Sequence, residues 1–337
     1  MNIAILNYYG KSDRGVEVWA RELSAHSQTA TFSIYFSEKT VAQDRSKLTI
    51  WQRLYIDRAS LSIALWTLKT LNGLQNSDCI VPTNGGWQSL IIKIYSILKS
   101  MPVVIVGHSG IGWDDRINLY TFPNVFISLT ENAKTWAKVV NPLVNVQVIP
   151  NGIDLDLFSK HGEKISLPFK GKTVLWVGAL TQSKDPLFTL KAVSRLKNTN
   201  LLMVGSGGME NEVLKMGKEL LGKKFSLRNY SWNEMPSVYR SCDVFTLASS
   251  KAESFGIVFL EAMASGLPVV TQDYPSRREI CGDNAYYFAA NDLDAYSKSI
   301  QLALDSKISV KIDRSVFGWD QVARKYESIF KKLIHEK

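Results

Sequence analysis

Short runs of β-branched and aliphatic residues alternate with helix-patterned segments along the whole chain. In the first half the runs are Ile3-Ala-Ile-Leu6, Val103-Val-Ile-Val106, Val125-Phe-Ile-Ser128 and Val146-Gln-Val-Ile149. In the second they are Val174-Leu-Trp-Val177, Leu201-Leu-Met-Val204, Val244-Phe-Thr-Leu247 and Pro268-Val-Val-Thr271. Helical spacing falls between them at Val16–Ala25, Glu131–Val139, Pro186–Leu196 and Phe255–Ala264. Strands this apolar must be covered on both faces, and intervening helices do that for a parallel sheet. The pattern starts twice, with a linker near residues 152–170, and 337 residues make about two domains. The expectation is an α/β chain of two doubly wound domains facing one another across a cleft. Their bounds are 1–155 and 156–315. A final amphipathic helix within 316–337, apolar at Val322, Tyr326, Ile329, Phe330 and Leu333, is expected to pack back towards the first domain.

Composition narrows the setting. With 45% hydrophobic and 21% charged residues the chain can fill two cores without staples. Cys79, Cys242 and Cys281 are odd in number and far apart, so neither a disulfide framework nor a zinc site is expected, and a reducing cytoplasmic setting fits. Met1-Asn-Ile-Ala-Ile-Leu-Asn7 has no basic leader region and reads as a first strand, and no apolar run has the length of a membrane span. The net charge of +9 is dispersed. It suits a polyanionic ligand or an anionic surface, and without a recognised motif it does not indicate nucleic acid.

The segment that carries most chemistry is Glu253-Ser-Phe-Gly-Ile-Val-Phe-Leu-Glu261, between a strand and a helix. A helix start offers unpaired N–H groups and the positive end of a dipole to an anion, and Gly256 lets backbone approach it closely. Glu261, eight residues after Glu253, can accept from ribose hydroxyls or serve as a local cap. Lys184, in the loop after Val174–Val177, can meet phosphate as a point charge or stand solvated. Gly205-Ser-Gly-Gly208 can cradle a ligand or simply turn the chain. His108, flanked by Gly107 and Ser109 after a buried strand, can overlook a cleft or be structural. Gly15 and Glu17 open the first helix and can face an acceptor or a phosphate. Asp154-Leu-Asp156 and Asp292-Leu-Asp294 resemble metal-binding pairs, but the first lies in a linker and the second at a helix start, so no metal is assigned. P-loop, nucleophile-elbow and complete dinucleotide motifs are absent from the sequence.

Together, Val148-Ile-Pro-Asn-Gly-Ile-Asp154, Val177-Gly-Ala-Leu180 with Lys184, Val204-Gly-Ser-Gly-Gly208 and Glu253 to Val270 resemble the retaining glycosyltransferase family 4. The likeness is collinear over about residues 146–282; in the N-terminal half it rests on Gly15 and His108. It implies a GT-B fold of two Rossmann-like domains, the second binding a nucleoside-diphosphate sugar. Lys184 would then hold the diphosphate, and Ser254, Phe255, Gly256 and Ile257 would line it, the last three cradling phosphate through their backbone. Gly205 and Gly15 would border the donor, and Glu261 would take the ribose. Glu253 and His108 are the implied catalytic pair, touching the transferred sugar. No obligatory cofactor or metal is implied.

Two departures bear on the donor. Ala179 stands where family members commonly carry arginine, leaving Arg277 or Arg278 to supply that contact. Pro275-Ser276 replaces the usual glycine pair. The expected function is transfer of a sugar, from UDP in preference to other carriers, to a glycan or lipid-linked acceptor. The alternatives are a nucleotide-sugar 2-epimerase and a non-catalytic donor-binding subunit. Apolar stretches with Lys and Arg, Thr49–Leu74 and Leu90–Lys99, suggest peripheral contact with the inner membrane face; ordinary amphipathic helices are the competing reading.

Overall fold

The computed structural model describes residues 1–9, 15–37, 49–251, 253–306 and 308–336. Gly10, part of the first glycine loop in the sequence, lies outside them. Two compact units emerge, Met1–Gly152 with Ser315–Lys337, and Ile153–Arg314. The divisions read from sequence were 155/156 and 315/316.

The first unit holds β1 (Asn2–Asn7), β2 (Thr31–Phe36), β3 (Cys79–Pro82), β4 (Val104–Val106), β5 (Val125–Ser128) and β6 (Val146–Val148). They pair in the orders β2-β1-β3 and β4-β5-β6, all parallel. A parallel bridge between Ile80 and Val103 joins the two sets. Ala4, Leu6, Ile80, Ile105 and Phe126 meet in one buried core beside this sheet.

The helix Trp319–His335 belongs to this unit and packs on the helix Gly15–His26. The Trp19 indole donates to the Tyr326 hydroxyl at 3.2 Å, with both rings fully buried. Glu327 accepts from the backbone N–H groups of Gln28 at 2.7 Å and Thr29 at 2.6 Å. Burial works against its charge, but these bonds and the Ser27 hydroxyl hold the carboxyl below its ordinary range.

The second unit is a single parallel sheet of β7 (Thr173–Val177), β8 (Asn200–Val204), β9 (Phe225–Arg228), β10 (Val244–Leu247), β11 (Val269–Gln272) and β12 (Ala285–Phe288). Its order is β12-β11-β10-β7-β8-β9. Chain order therefore reverses between β7 and β10, as in a Rossmann sheet. The four inner strands are almost wholly buried, which explains their unbroken apolar runs, whereas edge strands β9 and β12 are half exposed. At the start of β7 the Thr173 N–H donates to the Asp243 carboxylate at 2.8 Å, aligning β7 with β10.

One expected boundary shifts. The helix after β10 begins at Ile257, not Phe255, because Gly256 sits at φ +75°, outside helical geometry. Among the described residues no helix is long and apolar enough to cross a membrane.

Candidate functional site

In an open parallel sheet, ligands bind beyond the carboxyl ends of the strands where chain order reverses. Here that place is flanked by the loop after β7, residues 178–185, and the loop after β10, residues 248–256. A backbone bond from the Ser250 N–H to the Ser183 carbonyl, 2.7 Å, ties the two together. Across this tie the Lys184 ammonium is ion-paired with the Glu253 carboxylate, with side-chain exposures of 23% and 15%. The loops thus bring together two predicted site residues 69 positions apart.

Beneath them lies Arg277, fully buried. Its guanidinium donates to the Ser249 hydroxyl at 2.9 Å and to the Phe255 carbonyl at 3.4 Å. It also sits 4.9 Å from the centre of the Phe259 ring. One cation therefore fastens both ends of the 249–255 loop from below. Burial works against the charge of Glu253, but Lys184 and Arg277 outweigh it and hold the carboxyl below its ordinary range. The site contains a carboxylate that stays ionised, flanked by two cations.

Arg278 has a different place. It is exposed, forks onto the Asp273 carboxylate at 2.6 and 2.7 Å, and lies over the Tyr287 ring. Ala179 is exposed in the β7 loop.

Gly256 starts the helix Ile257–Ala264. Besides needing positive φ, a Cβ there would come within 2.7 Å of the Phe259 ring. A glycine offers the first-turn N–H groups no side-chain acceptor, so an anion can take that role. Phe255 is buried, and Ser254 and Ile257 are half-buried at the same turn. One turn on, Glu261 is buried and accepts from the Tyr239 hydroxyl at 2.7 Å. Burial raises Glu261 to about 7. Burial and the neighbouring Glu261 charge raise Tyr239 well above its ordinary value, so the tyrosine keeps its proton and remains the donor.

Gly205 has a packing reason for being glycine. It lies at φ +138°, and a Cβ would stand 1.9 Å from the Gly178 carbonyl oxygen. Its loop is laced to the one after β7 by Leu180 N–H to Ser206 O at 2.9 Å and Met209 N–H to Leu180 O at 3.0 Å. Asp292 caps the helix Leu293–Asp305 through the Ala295 N–H, and Asp154 accepts from the N–H groups of Asp156 and Leu157. Both acidic pairs thus have local structural work.

His108 and Gly15 belong to the first unit. His108 follows β4, with its ring edge-on to Trp19 at 4.8 Å between centroids. Its Nε2 is shut off from solvent with no partner among the described residues. Burial lowers it to about 3, so the ring is neutral at physiological pH. Buried Asp115 holds the loop around it, accepting from the Asn118 amide at 3.1 Å and from the backbone of Gly110 and Ser109. Gly15 is exposed at the first residue of its helix, and buried Glu17 accepts from the Asn7 amide at 2.9 Å.

Sequence reasoning did not single out Ser249, Tyr239 or Asp115. Ser249 and Tyr239 meet partners 28 and 22 residues away, and Asp115 accepts from backbone as well as from Asn118; spacing carries no signal for such contacts. The sequence offers Arg277 as a phosphate contact, whereas its buried guanidinium supports the loop.

The paired α/β units define a fold of the GT-B class, the architecture of many sugar-nucleotide-dependent transferases. Residues 159–315, just under half of the chain, match the family described as glycosyl transferases group 1. Phosphatidyl-myo-inositol mannosyltransferase of Mycobacterium tuberculosis is 34% identical over 140 residues, 40% of this chain and 37% of that protein. The N-acetylgalactosamine-N,N'-diacetylbacillosaminyl-diphospho-undecaprenol 4-alpha-N-acetylgalactosaminyltransferase of Campylobacter jejuni is 34% identical over 145 residues, 42% of this chain and 38% of that one. The chain therefore spans well under two thirds of these relatives. Among solved structures, HepE of Anabaena in complex with UDP-glucose matches with a TM-score of 0.75 at 15% identity, covering 98% of this chain and 100% of that chain. At that identity the likeness speaks to fold.

Proposed function

We propose that the protein is a retaining glycosyltransferase that takes a sugar from a nucleoside diphosphate, UDP in preference to other carriers, and passes it to a lipid-linked or glycan acceptor. The ion pair of Lys184 with Glu253 at the β7/β10 reversal carries this assignment. In a nucleotide sugar the diphosphate and the transferred sugar share one oxygen. A cation for the first and a carboxylate for the hydroxyls of the second must therefore stand side by side.

In this reading Lys184 leaves Glu253 for the diphosphate when donor binds. The backbone at Phe255, Gly256 and Ile257 adds N–H donors, and Glu261 accepts from the ribose. The bond between the anomeric carbon and the diphosphate oxygen breaks as Lys184 and the helix start stabilise the departing charge. The acceptor oxygen bonds to the same carbon from the same face, and its proton goes to the leaving diphosphate. No step calls for a metal.

The relatives' names favour an acceptor carried on lipid, since they specify phosphatidyl-inositol and diphospho-undecaprenol. A cytoplasmic protein working at the inner membrane face follows. The test is a thermal-shift panel of UDP-, GDP-, ADP- and TDP-sugars, followed by transfer with the stabilising donor and anomer assignment by NMR. Stabilisation by a UDP-sugar and a product that retains the donor's anomeric configuration are expected. Stabilisation by another nucleotide alone overturns the carrier, an inverted product overturns retention, and epimerised donor without transfer overturns the reaction class.

A further inference from the structure

The helices Arg58–Thr70 and Trp87–Lys99 pack against each other in the first unit with their polarity reversed. A helix at a water-facing surface turns its apolar stripe inward. In this pair the buried faces carry Ser60, Thr67, Gln88, Ser89 and Ser96, with Ile63 and Ile92 among them. The outer faces carry leucine and isoleucine. Leu61, Leu65 and Leu68, spaced i, i+4, i+7, are 45–62% exposed on the first helix. Leu90, Ile94, Ile97 and Leu98 repeat that spacing on the second, at 40–76%.

The segment leading into the first helix extends this face and is held so that it does. Its Tyr55 turns inward at φ +57° and lies against Gly86, where any Cβ would fall 2.3 Å from the ring. The Trp87 indole donates to the Tyr55 carbonyl at 2.8 Å, and the Trp113 indole to the Arg53 carbonyl at 2.9 Å. So pinned, the segment points Ile50, Trp51, Leu54 and Ile56 outward, at 49–62% exposure. The backbone is fixed in a conformation that displays apolar side chains.

The charges carried by these segments are mostly positive. Residues 49–70 and 87–99 contain Arg53, Arg58, Lys69, Lys93 and Lys99 against a single carboxylate, Asp57. Asp57 is engaged in capping its own helix through the N–H groups of Ala59 and Ser60. An apolar face ringed by cations matches the interface of an anionic bilayer, where acyl chains take the leucines and headgroup phosphates take the lysines and arginines. A protein partner would need to match both the apolar area and an acidic rim.

We infer that this outward apolar face, Ile50 to Leu68 with Leu90 to Lys99, docks the first unit onto an anionic lipid bilayer. The inference deepens the reading of a lipid-linked acceptor by naming the surface that meets the lipid. Docking itself needs neither donor nor acceptor.

The test is flotation of the full chain with phosphatidylcholine vesicles, with and without an equal part of phosphatidylglycerol, at low and near-physiological salt. Binding to the anionic vesicles is expected, at least tenfold stronger than to phosphatidylcholine alone and weaker in salt. Trp51→Ser with Leu65→Ser should lower it at least tenfold, and Lys93→Glu with Lys99→Glu by a similar factor. UDP-sugar binding by both double variants should stay at the wild-type level, which also shows that they fold. No wild-type binding to anionic vesicles, or binding unchanged in both variants, overturns the inference while leaving the donor reading intact. A self-association in analytical ultracentrifugation that the Trp51 and Leu65 changes abolish, with no vesicle binding, would assign the face to a second copy and overturn it equally.

Discussion

Lys184 and Glu253 neutralise one another across the reversal point of the six-stranded sheet, from loops 69 residues apart. Under the proposed function, a donor diphosphate competes with Glu253 for the ammonium, and its binding frees the carboxylate where the sugar arrives.

Glu253→Gln separates the two halves of that exchange. The amide keeps the shape but releases Lys184 from its ion pair. UDP affinity should hold or rise, while transfer falls at least about a hundredfold, a loss of roughly 3 kcal/mol in transition-state stabilisation. Calorimetry with UDP and a turnover assay on the same sample would check this.

Arg277 supports the loop from underneath. Arg277→Ala leaves the Ser249 hydroxyl and the Phe255 carbonyl without their donor and takes a cation from beside Glu253. The expected loss in denaturant unfolding is about 3 kcal/mol, in the range for breaking a buried charged cluster. Arg277→Lys should recover only part of it, because an ammonium lacks the planar fork that spans both acceptors.

Under the proposed function, Glu261 makes donor binding depend on pH. Its carboxyl lies near 7 in the folded protein against an ordinary 4.5, so the folded state holds the proton over that interval while the unfolded state loses it. Its contribution to stability is full below about 4.5 and declines as pH rises towards 7, by up to about 1.4 kcal/mol per pH unit. Ribose hydroxyls favour the ionised form, so nucleotide affinity should strengthen as pH rises through about 7. Glu261→Gln should flatten both profiles, read by thermal unfolding and nucleotide titration from pH 5 to 8.

His108 should remain neutral over the working range. Its folded value near 3 lies below the ordinary 6.5, so on acidification the unfolded chain is protonated first and stability is lost as pH falls between those values. In NMR its ring protons should show no titration from pH 5 to 8; a midpoint near 6.5 would contradict the buried, neutral ring.

The parallel architecture was legible because the inner strands β1, β4, β5, β7, β8, β10 and β11 are buried on both faces and read as apolar runs. Edge strands β2, β9 and β12 were not named, since half-exposed stretches such as Phe225-Ser-Leu-Arg228 and Ala285-Tyr-Tyr-Phe288 look like turns or loops. The four residues of β3, Cys79-Ile-Val-Pro82, were also passed over: the run is short and ends in proline. Within the site, the loops bearing Lys184 and Glu253 could be found, because strand-to-helix loops sit at sheet ends. Their direct pairing depends on strand order, which one sequence does not state. Arg277 looks in sequence like any helix-surface cation, and only the packing beneath residues 249–255 identifies it as a support.

Binding of a UDP-sugar to the wild-type protein and to Lys184→Ala, measured by calorimetry under identical conditions, tests the donor site most directly. At least a tenfold loss of affinity in the variant, about 1.4 kcal/mol or more, is the expected result, with the fold intact by circular dichroism. Equal affinity for the two proteins would contradict a diphosphate held by Lys184, and with it the donor site at the β7/β10 reversal.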